Sequence, residues 1–155
     1  MYELVGLLPS YGDPRIHAAV VCASVSCPDL SNQAYTSDNI NALLDERCAA
    51  WLAHPEKGMH LLDPPTAGST STSSPQLKLS PIFEWYRSDF DSFKRGDRTG
   101  LRGFLEEFAP ADLSLSLREL PEEAFEEEAL AYFEYNWSLN GAPEAAAAAA
   151  EVAGL

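Results

Sequence analysis

Apolar positions recur at spacings of three and four through "TSDNINALLDERCAAWLAHPEKG", placing Ile40, Leu43, Leu44, Cys48, Trp51 and Leu52 on one face. Thr36 or Ser37 can cap this segment and His54-Pro55 closes it, so the spacing predicts a helix over 37–53. A second helix is expected over 81–93, with Ser80 as cap, Pro81 in the first helical position, and Ile82, Trp85, Tyr86 and Phe90 along one stripe. Leu101, Phe104, Leu105 and Phe108 predict a third over 99–108, with the helix-breaking Pro110 beyond it.

Between these helices the period changes from 3.6 to two. In "GDPRIHAAVVCASVSCPDL", Asp13-Pro14 would suit a helix start. Yet Ile16, Ala18, Val20 and Cys22 alternate and "VVC" is β-rich, so the expectation is a buried strand that stops at Cys27-Pro28. Short strand-like pieces, Met59 to Leu62 and Gln76 to Leu79, flank an insert rich in Gly, Ser, Thr and Pro, which reads as a hairpin tip. Near the end Tyr132, Glu134, Asn136 and Ser138 alternate with Phe133, Tyr135, Trp137 and Leu139, the pattern of a half-buried strand.

These elements predict an α+β fold: a small sheet from the regions of Ile16, Leu61, Leu77 and Phe133, packed against about three helices in a single compact domain. Val20, Leu44, Trp51, Ile82, Trp85, Phe104 and Trp137 are the expected core. The domain spans 12–140, preceded by an N-terminal remnant, 1–11, and followed by an Ala-rich tail, 141–155, with no apolar face to bury.

Charge narrows the function classes. Against 24 acidic residues stand 10 basic ones, a formal charge of −14 among 155 residues, which argues against nucleic-acid backbones and anionic membranes as partners. No apolar run reaches the ~20 residues of a spanning helix, and the opening "MYELVGLLPSYG" lacks the basic start of a secretory signal. A soluble setting follows, with the cytoplasm favoured. The acids between Glu119 and Glu128 read as a solvated face. No spacing calls for a cofactor or a metal, since His54 and His60 with Asp63 make too sparse a ligand set.

Three segments in order, "GDPRIHAAVVCASVSCPDLSNQAYTSDNINALLDE", "LSPIFEWYRSDF" and "FEYNWSLN", resemble the domain of unknown function 547 family, and the resemblance runs from Gly12 to Asn140. It implies membership and no mechanism, because that family's chemistry is not established. Family members usually begin with an upstream helix patterned F-W-I-N-x-Y-N-A, which has no counterpart here. The expectation is therefore the C-terminal part of the family domain, with the face around His17 to Cys22 left open.

The candidate chemistry lies in the first of these segments. Three cysteines cannot all pair, and Cys22, Cys27 and Cys48 fit neither a zinc knuckle nor a C-x-x-C motif. Cys22 and Cys27 could bridge, while free thiols in a reducing setting are the simpler reading. Cys48 falls in a helical stripe as a core residue. A thiolate becomes a nucleophile beside a base or a positive group, so Cys27, Cys22 and His17 are the candidate catalytic residues. Against this, positions 17 and 22 face opposite sides of a strand. A turn at Ser26 to Pro28 could fold Cys27 back towards His17, and a purely structural strand with Cys22 buried is the competing expectation. Ser24 and Ser26 lack the G-x-S-x-G context of a nucleophile elbow. Two functions remain: a protein-interaction or scaffolding module recruiting a protein partner through the aromatic run "YFEYNW", and a Cys-dependent hydrolase or acyl transferase built on His17, Cys22 and Cys27.

Overall fold

The computed structural model describes residues 12–62 and 77–140. The 1–11 and 141–155 segments and the Gly/Ser/Thr-rich insert lie outside the described residues.

The long apolar stripe forms helix α1, Ile40–Leu52, which buries Leu43, Leu44, Cys48, Trp51 and Leu52. It starts later than the sequence suggested. The Asn39 side chain accepts from the Thr36 N–H at 2.8 Å and holds the preceding residues in a turn, and Ile40 is left 41% exposed. Strand β1, Met59–Leu61, then pairs antiparallel with β2, Leu77–Leu79, in the register Met59 to Leu79. These are the two strand-like pieces flanking the insert.

Ser80 caps the next helix, accepting from the Ile82 N–H, and Pro81 occupies its first turn. The expected single helix is two: α2, Pro81–Trp85, and α3, Arg87–Asp91, separated at Tyr86, whose φ of −119° and ψ of 30° leave the helical region. A two-residue hairpin follows, β3 (Lys94–Arg95) and β4 (Arg98–Thr99). Helix α4, Gly100–Phe108, then buries Leu101, Phe104, Leu105 and Phe108 as their spacing requires.

Helix α5, Ala111–Glu119, was not expected. Its "LSLSL" alternation imitates a strand, but Pro110 serves as its N-cap, and the Ser114 hydroxyl donates to the Glu106 carbonyl at 2.8 Å. Two short 3-10 turns, Glu122–Phe125 and Glu127–Ala129, bury Ala124 and Phe125 and turn the acids outward. Strand β5, Leu130–Tyr132, closes the three-stranded sheet in the order β1-β2-β5, parallel to β2. The Phe133 N–H extends that pairing by donating to the Leu79 carbonyl at 2.9 Å.

The fold is α+β, and its core is aromatic. Phe83, Phe90 and Phe104 are fully buried. Trp51 stacks on Phe83 at 4.7 Å between ring centroids, and Phe104 meets Phe90 and Phe93 edge-on at 5.0 and 5.3 Å, geometries that suit the ring quadrupole.

Two expectations are overturned. The Ile16 region contributes no strand: Pro14–Ala18 is a 3-10 turn, because Asp13 caps it by accepting from the Arg15 N–H and Pro14 presets its first turn. Nor do Val20, Trp85 and Trp137 belong to the core, being 51%, 47% and 68% exposed. The core closes over the phenylalanines without them, and the two tryptophans stack on each other at the surface, 5.7 Å apart with planes 15° from parallel. Leu44, Trp51, Ile82 and Phe104 are buried as expected.

Candidate functional site

The 3-10 turn is anchored on both sides before the chain reaches the cysteines. Arg15 is buried against α1, where its guanidinium donates to Asp13, to the Asn41 carbonyl and side chain, and to Asp45 at 2.6 Å. Those carboxylates hold the guanidinium well above its ordinary pKa range. Two residues on, His17 is 6% exposed, sits 2.8 Å from the Asp89 carboxylate through Nε2, and stacks on Tyr86 at 4.4 Å. Burial pulls its pKa down, outweighing the hydrogen bond and charge of Asp89, so it rests as a neutral imidazole.

Beyond this anchor the backbone turns sharply. Ala23 has φ of 59°, the one non-glycine residue in the left-handed region among the described residues. The turn from Cys22 to Cys27 is held by the last segment of the domain. Val25 and Ser26 N–H groups donate to the carbonyls of Ser138 and Asn136, Asn136 N–H donates to the Ser26 hydroxyl, and Asn140 N–H donates to the Ala23 carbonyl. Ser24 and Leu139 form an antiparallel bridge. The residues expected as a strand after Tyr132 are thus extended, but they pair with this turn.

The turn brings the two cysteines together. Their sulfurs are 3.4 Å apart, and the Cys22 N–H points at the Cys27 sulfur at 3.1 Å. Cys22 is exposed, whereas Cys27 is 3% exposed, so the buried-strand reading of Cys22 is wrong. Tyr135 supplies a hydroxyl 3.4 Å from the Cys22 sulfur, and the Ser24 hydroxyl lies 3.3 Å from that sulfur and donates to Tyr135 at 2.9 Å. His17 is not a member of this group; its polar partner is Asp89.

These contacts set the protonation states. Partial desolvation raises the Cys22 pKa, but the linked hydroxyls of Ser24 and Tyr135, the Ser24 backbone and the Cys27 thiol favour the thiolate and bring it down to about 7. Burial pushes Cys27 up, despite the Cys22 N–H directed at it. Burial, and then the hydrogen bond to Cys22, push Tyr135 up as well, which keeps it a donor. Burial drives Cys48 well above the thiol range, and it packs as a core residue.

The arrangement can therefore hold an exposed thiolate beside a second, protonated thiol. Sequence reasoning found the cysteines but not Tyr135 or Ser24 as their donors. The signal was present in "CASVSC", where small residues between two cysteines permit a tight turn.

Other candidates are less suited to chemistry. A concavity of about 540 Å³ is lined by Arg98, Arg102 and Arg118, but each already faces a carboxylate of Glu107, Glu106 or Glu122. Among the described residues no group of three or more His, Cys, Asp and Glu could hold a metal ion; Asp63 lies outside them. No helix among the described residues is long and apolar enough to cross a membrane.

No curated protein and no solved structure matches the chain. A family model does, over residues 5–52, which hold the 3-10 turn, both site cysteines and α1; the later segments at 79–90 and 133–140 lie beyond that match. Its description is "Protein of unknown function, DUF547", and through that segment the chain is similar to the DUF547 family.

Proposed function

We propose that the domain carries out thiol–disulfide exchange, with Cys22 as the attacking thiolate and Cys27 as the resolving thiol. The observation that carries this reading is the pair itself: two sulfurs 3.4 Å apart, one exposed and one buried. Closing to a bond of about 2.05 Å requires a movement of about 1.4 Å.

In the first step the Cys22 thiolate attacks one sulfur of a substrate disulfide. A mixed disulfide forms, the substrate S–S bond breaks, and the departing thiolate takes a proton from solvent. Cys27 then loses its proton to solvent and attacks the Cys22 sulfur, expelling the second substrate thiolate. The cysteine pair is oxidised by two electrons and the substrate disulfide is reduced to two thiols. An attacking thiol with a pKa near the ambient pH suits this chemistry, because ionisation and intrinsic nucleophilicity oppose each other.

The hydrolase or acyl-transferase reading requires, besides the Cys22 thiolate, an acid–base group to protonate the leaving group and activate the acceptor, and the imidazole of this segment is engaged with Asp89. The interaction-module reading draws on the exposed tryptophans and enters below as part of the same site.

The test is a reaction with a small neutral disulfide, followed site by site by mass spectrometry. Wild type is expected to end as the Cys22–Cys27 disulfide with two equivalents of small thiol released. Cys27→Ser is expected to stop at the mixed disulfide on Cys22. Cys22 reacting no faster than a cysteine in a short unstructured peptide, or a mixed disulfide persisting in wild type, would overturn the proposal.

A further inference from the structure

Resting on the thiol-exchange reading, we infer that the face formed by exposed Trp85 and Trp137 around half-buried Tyr135 docks a basic polypeptide segment and presents that segment's disulfide to Cys22.

The face and the thiol are continuous. The Tyr135 ring lies 4.9 Å from Trp85 and 4.5 Å from Trp137, while its hydroxyl is 3.4 Å from the Cys22 sulfur. Leu139, 70% exposed and bridged to Ser24, and Val20, 51% exposed, extend the apolar surface. Two tryptophans stacked in solvent carry large apolar area outside the core, and such area on a monomer marks a contact surface.

Charge decides the kind of partner. Of the ten basic residues, Arg15, Arg47, Lys57, Arg87, Arg95, Arg98, Arg102 and Arg118 are ion-paired with carboxylates. Glu84 and Glu134, next in sequence to Trp85 and Tyr135, are exposed and enter no ion pair among the described residues. A visiting Lys or Arg would therefore meet electron-rich ring faces on a chain of net charge −14 whose own cations are mostly paired already. The same segment already displays this chemistry: the Lys78 ammonium lies 5.0 Å from the centroid of Phe133, two residues before Tyr135. An acidic segment would meet repulsion from that net charge. The three ring centroids lie within 5.7 Å of one another, a compact cluster that a Lys or Arg side chain of a polypeptide can cover while its backbone runs on past Leu139.

Three peptides of equal length, each carrying one cysteine as a mixed disulfide, separate the alternatives: one rich in Lys and Arg, one in Glu, one in Leu and Ser. Rate constants for reaction at Cys22 are divided by the rate of a small neutral disulfide on the same protein. The basic peptide is expected to exceed the neutral one by about tenfold, an advantage that shrinks with added salt. Trp85→Ala and Trp137→Ala are each expected to reduce that advantage to about threefold or less. Basic preference unchanged in both tryptophan variants would overturn the inference, leaving only attraction by net charge. Preference for the Leu-rich peptide would do so too, as would a wild-type dimer that Trp137→Ala dissociates, which would assign the face to a second copy. If the small neutral disulfide itself reacts slowly, the thiol reading fails, and tryptophan fluorescence titrated with the basic peptide lacking cysteine then tests docking alone. Saturable quenching by that peptide and not by the Glu-rich one supports the face, and equal response to both overturns it.

Discussion

Removing one hydroxyl from Tyr135 should change the reactivity of Cys22 in opposite directions at low and high pH. Tyr135 is a protonated donor 3.4 Å from the sulfur, and its hydrogen bond is stronger when the sulfur carries charge. A hydrogen bond to a charged group contributes about 1.5 kcal/mol at the weak end, which is about tenfold in an ionisation constant. With a wild-type pKa of about 7, Tyr135→Phe should therefore lower the thiolate population about tenfold at pH ~6. The thiolate that does form is more basic, and hence about threefold more nucleophilic at a Brønsted slope of about 0.45. The product is a rate about threefold lower at pH ~6 and about threefold higher at pH ~9, where both proteins are largely ionised. Ser24, released from Tyr135, can turn its proton to the sulfur at 3.3 Å, so adding Ser24→Ala should deepen both effects. The assay is the initial rate of Cys22 with a small neutral disulfide across that pH range, quantified on the Cys22 peptide, with thiolate absorbance as an independent titration. A rate lowered by the same factor at both ends would refute the reasoning, because it would mean that the variant hinders access and leaves ionisation alone.

Ala23→Gly should raise stability by about 1 kcal/mol in urea unfolding, since φ of 59° costs an alanine what a glycine avoids; an unchanged midpoint would show the turn to be unstrained. Gly58→Ala should cost about 3 kcal/mol or more, because a Cβ there would lie 1.9 Å from the Trp51 carbonyl oxygen, and retention of the wild-type midpoint would refute that crowding. His17 has a folded pKa below its unfolded value of ~6.5, so its contribution is present above ~6.5 and is lost as the pH falls towards the folded value. His17→Gln should therefore remove part of the fall in urea midpoint between pH ~7 and ~5.5, and a wild-type protein gaining stability on acidification would contradict the sign.

What the sequence disclosed depended on how local the deciding interaction was. The α1 and α4 stripes were legible because Leu43, Leu44, Trp51, Phe104 and Phe108 repeat at the helical period within one segment. The fate of Ile16 to Cys22 was not, because its period-two pattern competed with a local cap. The Asp13 bond to the Arg15 N–H and the burial of Arg15 against Asp45 decided for a 3-10 turn. Trp85 and Trp137 misled for another reason: a helical stripe and an alternating run each mark one face, and neither says whether another layer covers it. Tyr135 as a donor to Cys22, 113 positions away, was beyond local reading altogether. Yet the three segments quoted for the family resemblance are those that meet here, through His17 with Asp89 and Cys22 with Tyr135.

The span between those last two residues has a consequence for the order of events during synthesis. Tyr135 follows Cys22 by 113 positions, so the cysteine pair leaves the ribosome long before that hydroxyl exists. Until the final strand emerges and lies along the turn, Cys22 lacks the Tyr135 hydrogen bond that helps to lower its pKa. Full thiolate character at Cys22 is thereby expected only once the last strand is in place, so that its alkylation rate would report completed folding.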